Sequence, residues 1–149
     1  MKQIKEFQCM GEKCPNHCCG SFDGISQRLR AIGTISFQEI LLLPEDKDAL
    51  CAIGREDLIV EKENGLAIIK TAPDGTCEAL TGGKCGIYPA RPAICRCYPL
   101  YMDLFTGICV DEKCPAVSGL SYEAVTAEAK EALLKVYAYW LKYYAHNVY

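Results

Sequence analysis

Eleven cysteines punctuate this 149-residue chain, and ten of them fall into three groups. Cys9, Cys14, Cys18 and Cys19 form a C-x4-C-x3-C-C run. Cys77, Cys85, Cys95 and Cys97 follow as C-x7-C-x9-C-x-C, and Cys109 and Cys114 close the series as C-x4-C-P. A thiolate is a soft, charged donor; zinc takes four tetrahedrally, and iron–sulfur clusters such as 4Fe-4S also use four. Short spacings let one loop present several sulfurs at little closure entropy, and remote cysteines then close the site. These ten cysteines therefore read as metal ligands. Neighbouring Cys18 and Cys19 tend to point apart, so they face different places. One site or two stays open, as does zinc against iron–sulfur. The spacing matches neither common ferredoxin pattern and lacks the paired C-x2-C knuckles of zinc ribbons.

The competing reading is a disulfide scaffold. An odd cysteine count excludes full internal pairing, and secreted scaffolds are usually shorter and carry a signal sequence. Met1 to Glu6 is polar with no apolar stretch after it, so the expected location is the cytoplasm, where thiols stay reduced. The apolar run Ile40 to Leu43 is far too short for a bilayer, so no membrane is expected. The net charge is -3 with no stripe of Lys and Arg, which argues against nucleic acid as a partner. The expected partner is a metal ion or cluster; a protein partner or a small-molecule substrate stays open.

The elements that must position these sulfurs read as an α+β fold. It is a small, irregular cysteine-rich metal-binding domain over residues 1–149, with a β-hairpin and a long C-terminal helix. Ser36-Phe37-Gln38-Glu39 is a capping box that predicts a short helix through Ile40-Leu43, stopped by Pro44. A second helix resumes around Asp46 to Ala52. Two β-rich runs flank Asn64-Gly65, predicting strands at about 58–62 and 67–71. Gly82-Gly83 predicts a tight turn before Cys85. Residues 77–99 otherwise read as rigid and irregular, with one short helical turn. Ser121 is placed to cap a helix from about Tyr122 to His146, with Leu133, Val136, Trp140 and Tyr143 or Tyr144 on its inner face.

The remaining candidates have blander readings. Cys51 reads as a buried small hydrophobe. His17 reads as a polar loop residue, although it could replace a sulfur, and His146 as a surface residue near a helix end. Arg91 and Arg96 flank Cys95. They are candidates for binding a cofactor or anionic group, for hydrogen bonding to sulfur, or for an ion pair that fixes the loop. Core packing is expected for the rings of Tyr88 and Tyr98.

The cysteine runs are similar to those of a known family, the cysteine-cluster proteins described as zinc- or iron-chelating and named for a CxxCxxCC-type motif. Cys9/Cys14/Cys18/Cys19 supply the first match, with wider spacing than the nominal motif. The longer match is Cys85-Gly86-Ile87-Tyr88-Pro89-Ala90-Arg91-Pro92-Ala93-Ile94-Cys95-Arg96-Cys97-Tyr98-Pro99. This resemblance implies metal ligands at Cys14, Cys18, Cys19, Cys77, Cys85, Cys95 and Cys114, with Cys97 and Cys109 as additions. The phrase from Phe7 to Cys19, including Cys9, also resembles flagellin lysine-N-methylases, which carry a cysteine-bound iron–sulfur cluster and use S-adenosylmethionine. The chain is much shorter than those enzymes.

Three functions follow. The first is a metal-binding protein holding an iron–sulfur cluster or zinc, with a redox or metal-handling role. The second is an iron–sulfur-dependent methyltransferase-like enzyme using S-adenosylmethionine, although no Gly-rich nucleotide loop is visible. The third is a zinc-stapled protein-interaction module. Metal binding is common to all three, and catalysis stays open.

Overall fold

The computed structural model describes residues 40–63, 65–103, 105–111 and 122–146, with Met10, Lys13, Cys114 and Ala116. Side chains of the last helix are described over 129–143. The capping box at Ser36 to Glu39, His17, Asn64, Ser121 and the side chain of His146 lie outside that set.

Ile40 to Leu43 does not form the predicted helix. Leu41–Leu42 is a strand, β1, that pairs antiparallel with β3 (Ala67–Ile69), in register Leu41 to Ile68 and Leu42 to Ala67. Its residues alternate between two buried clusters. Leu41 and Leu43 enter one, and Ile40 and Leu42 the other. A run that is apolar on both faces looks the same as a short helical stretch in sequence; packing between two cores selects the strand.

The helix starts at Pro44 instead, as α1 (Pro44–Ala52). Proline at the first helical position lacks only a donor that would be unsatisfied there anyway. The first-turn N–H groups of Asp46 and Lys47 both reach Leu43 O, at 3.0 and 3.1 Å.

The hairpin around Asn64-Gly65 forms as expected. Here β2 (Ile59–Glu61) pairs with β3, and the sheet order is β1-β3-β2. Gly65 closes the turn by donating to Lys62 O at 3.0 Å, with φ at 83°. Gly82 and Gly83, at φ 57° and 77°, link β4 (Leu80–Thr81) to β5 (Lys84–Cys85). Two successive left-handed residues make the tight turn whose twist matches a hairpin.

A single turn of 3-10 helix at Tyr88–Ala90 leads to α2 (Ala93–Cys97). The sequence reading missed a further hairpin, β6 (Leu100–Asp103) with β7 (Gly107–Val110), in register Tyr101 to Cys109. The last helix, α3, spans Tyr122–His146 as predicted. Ala129, Ala132, Leu133, Val136 and Trp140 form its buried face, packed on Leu41, Leu43, Ala93, Cys97 and Leu100. The Trp140 and Tyr143 rings meet edge to face with centroids 6.3 Å apart. The architecture is α+β: small sheets of short antiparallel strands with a long C-terminal helix. Among the described residues, no helix is long and apolar enough to cross a membrane.

Leu133 is fully buried, whereas Leu134 beside it is 49% exposed. Leu133→Ala is expected to lower unfolding free energy by about 2–5 kcal/mol through lost burial and a residual cavity. Leu134→Ala should change it by no more than about 0.5 kcal/mol. Urea denaturation of the two variants checks the packed face of α3; equal losses would contradict it.

Candidate metal centre

Cys77 is buried in a cluster with Ile87, Ala79 and Ile69, and the half-buried Cys85 and Cys95 pack against it. The β4–β5 hairpin brings Cys77 and Cys85 together. Cys77 lies just before β4, where it bridges to Thr71, and Cys85 ends β5 opposite Leu80. Gly86 N donates to Ala79 O at 2.8 Å, and a Cβ at Gly86 would stand 3.0 Å from that oxygen. Glycine thus permits the close approach that folds the segment after Cys85 onto the segment after Cys77.

Burial pushes the Cys77 thiol above its ordinary value. The backbone N–H groups of Ala79 and Leu80 pull it back, and the neighbouring Cys85 adds a further upward push. N–H groups aimed at sulfur stabilise a thiolate, while two thiolates close together repel until a cation joins them. On the surface nearby, Arg55 is held by Asp57 through Nε to Oδ1 at 3.0 Å. That hydrogen bond is the main reason its guanidinium pKa rises, and the charge of Cys77 adds to it.

Helix α2 sorts its residues between the two cores. Ala93 and Cys97, four apart, lie in the cluster against α3, whereas Cys95 lies in the cluster with Cys77. Cys97 donates its thiol proton to Ile94 O at 3.2 Å, and burial pushes its pKa up to about 12. Cys109 is half-buried on β7, where its sulfur donates to Gly107 O at 3.6 Å and lies 3.5 Å from Thr106 Oγ1. Cys114 is buried, with its N–H on Asp111 O. Asp111 is buried too and accepts from Tyr98 Oη at 3.2 Å, tying the Cys114 segment to the end of α2.

Cys9, Cys14, Cys18 and Cys19 lie outside the described residues. Among the described residues, no three His, Cys, Asp or Glu side chains stand in a metal-holding arrangement. Two expectations are corrected. Cys51 is exposed rather than buried, because it falls on the outer side of α1, whose inner side buries Asp46 and Leu50. Tyr88 is 45% exposed rather than in the core, because its ring carries the Arg91 guanidinium 3.7 Å from its centroid. Arg91 also donates Nε–H to Tyr88 O at 3.1 Å.

Sequence reasoning missed Asp46. Its carboxylate is 3% exposed and accepts from Leu43 N at 2.9 Å. Both its oxygens also lie 3.2 Å from Ala93 N, at the start of α2. One carboxylate therefore caps two helices 47 residues apart, and the second carries Cys95. Proline at the helix start followed by two acidic residues signals the first cap. Nothing in the sequence signals the second. Burial raises the Asp46 pKa; the two backbone donors and the charge of Arg96 oppose that rise.

Sulfur is a soft donor, and at Cys77 the N–H groups of Ala79 and Leu80 favour its ionised form. Comparison with known proteins agrees. The model of the CxxCxxCC family, described as "Putative zinc- or iron-chelating domain", matches residues 8–115. No curated protein and no solved structure matches the chain.

Asp46→Ala strands two buried N–H groups and is expected to cost roughly 3 kcal/mol of stability. Asp46→Asn keeps an acceptor and should cost less. Because its folded pKa lies above its unfolded one, Asp46 contributes most stability below the unfolded value and loses that contribution as pH rises through the folded one. Wild type should therefore lose stability relative to Asp46→Asn across that rise, as read by urea midpoints in a pH series. A flat difference would contradict the raised pKa.

Proposed function

We propose that this chain, which belongs to the CxxCxxCC family of zinc- or iron-chelating domains, holds zinc or an iron–sulfur cluster through cysteine thiolates. Cys77, Cys85 and Cys95 are the first candidates, joined by sulfurs from Cys9, Cys14, Cys18 and Cys19. The reading is supported by one observation: Cys85 and Cys95, remote in sequence, are both packed against the buried cluster that contains Cys77. Cys114 and Cys109 are further candidates. Cys97 is the weakest, since its thiol is buried in the opposite core and already donates to Ile94 O.

A zinc ion here would cross-link the hairpin, α2 and the N-terminal segment, whereas an iron–sulfur cluster would add electron transfer. The residues do the rest. The Ala79 and Leu80 N–H groups favour ionised sulfur at Cys77. Because burial holds the Cys77 thiol protonated in the free chain, metal uptake must release its proton.

Anaerobic purification with metal and sulfide analysis tests the reading. Iron with inorganic sulfide selects the cluster and with it a redox role; stoichiometric zinc without sulfide selects the structural centre. A chain that stays metal-free would defeat both. Cys85→Ser and Cys95→Ser should lower metal content, while Cys51→Ser should leave it unchanged. Metal affinity should rise with pH, because protons compete for the same sulfurs, and competition with a chelator at several pH values measures this.

A further inference from the structure

Two free thiols lie at the base of one hairpin. Cys77 is buried and opens a tight turn, which Leu80 N closes on Cys77 O at 3.0 Å. Within that turn the N–H groups of Ala79 and Leu80 reach the Cys77 sulfur, so the sulfur lies beside Leu80. Leu80 is in turn the cross-strand partner of Cys85. Next to Cys85, Gly86 N donates to Ala79 O at 2.8 Å, in an approach that a Cβ at position 86 would crowd. Turn and hairpin thus draw the two cysteine-bearing segments to backbone hydrogen-bond distance. The charge of Cys85 acts on Cys77 across this gap.

Other described cysteines are placed differently. Cys97 is in the opposite core with its thiol on Ile94 O, Cys109 is on β7 beside Thr106, and Cys51 is exposed on α1. Cys95 packs against the same cluster as Cys77, but from α2. Cys77 and Cys85 also differ in access, since Cys85 is half-buried and Cys77 is buried. Paired thiols have a chemistry besides metal binding: the more accessible one meets an oxidant, and its neighbour resolves the product as a disulfide.

We propose that Cys77 and Cys85 are a dithiol pair that hydrogen peroxide oxidises to a disulfide, which makes the base of the β4–β5 hairpin a redox-sensitive switch. The Cys85 thiolate attacks the O–O bond and becomes a sulfenic acid, and the other oxygen leaves as water. The Cys77 sulfur then attacks the Cys85 sulfur. The S–O bond breaks, and the hydroxyl leaves as a second water with the Cys77 proton. Two thiols and one peroxide give one disulfide and two waters, with two electrons passing from sulfur to oxygen. The pairing needs no metal, so it stands apart from the metal reading. Where a metal is bound, oxidation withdraws two of its candidate donors.

Peptide mapping of the full chain tests the pair. Wild-type protein is reduced, exposed to hydrogen peroxide with a chelator present, alkylated and digested with trypsin. Cleavage after Lys70, Lys84 and Arg96 releases 71–84, which carries Cys77, and 85–96, which carries Cys85 and Cys95, because the bond from Arg91 to Pro92 resists the protease. These two peptides are expected to be joined, with fragmentation placing the link on Cys85, and a thiol reductant should separate them. Cys95→Ser should keep the link and Cys85→Ser should abolish it. A link from Cys77 to any other cysteine, or Cys77 recovered as a free thiol while Cys85 is over-oxidised, would overturn the proposal. Circular dichroism of the treated chain checks that it is folded, and wild type decides alone if a variant fails to fold. Metal analysis is read on a separate, untreated sample, so a metal-free chain sinks the metal reading without touching this one.

Discussion

A buried carboxylate ties the start of α1 to the start of α2. Asp46 sits in the first turn of α1, yet its oxygens also accept from the first N–H of α2. Burying a charge is costly unless hydrogen bonds and a counter-charge replace its water. Here two backbone donors and Arg96 offset part of that cost at 3% exposure, and burial still raises the Asp46 pKa. The consequence is geometric. A five-residue helix has little stability of its own, so its orientation must come from its contacts. Asp46 fixes one end, and the Tyr98–Asp111 hydrogen bond fixes the other. Cys95 is directed by that frame into the cluster with Cys77 and Cys85.

The second constraint is the partition of the core. The strand β1 and the helix α2 each send alternate residues into two clusters, one against α3 and one around the cysteines. The α3 side is conventional packing of Leu, Val, Ala and Trp. The other side mixes aliphatic side chains with thiols. The same apolar surroundings that stabilise this side also raise the Cys77 thiol. Cys97 shows the other use of a thiol: one residue past Arg96, it faces α3, stays protonated and packs as a small apolar group.

Glycine and proline perform local tasks that make this frame attainable. Gly82 and Gly83 reverse the chain within two residues, and Gly86 lets two backbone segments approach to a distance that any side chain would obstruct. Pro44 converts an apparent helix break into a helix start. The proline-rich stretch before α2 is stiffened by Arg91 on Tyr88, so both arginines beside Cys95 act on its setting, one by bracing the loop and the other by bringing positive charge to the helix.

By itself the sequence determined the α+β class, the Asn64-Gly65 hairpin, the extent of α3 and its buried stripe, because these follow from local turn chemistry and from a clear helical period. It also marked the cysteines as the chemistry-bearing residues, and its family signature over residues 8–115 identifies a zinc- or iron-chelating domain. Tertiary structure alone decided that Ile40 to Leu43 is a strand, since a four-residue apolar run carries no period, and that Cys51 and Tyr88 face outward. It also decided that Cys95 and Cys97, two residues apart, serve opposite cores. The pairing of Asp46 with Ala93 belongs to the same class: a hydrogen bond across 47 residues leaves no mark on either local pattern, because it depends on where two helices end in space.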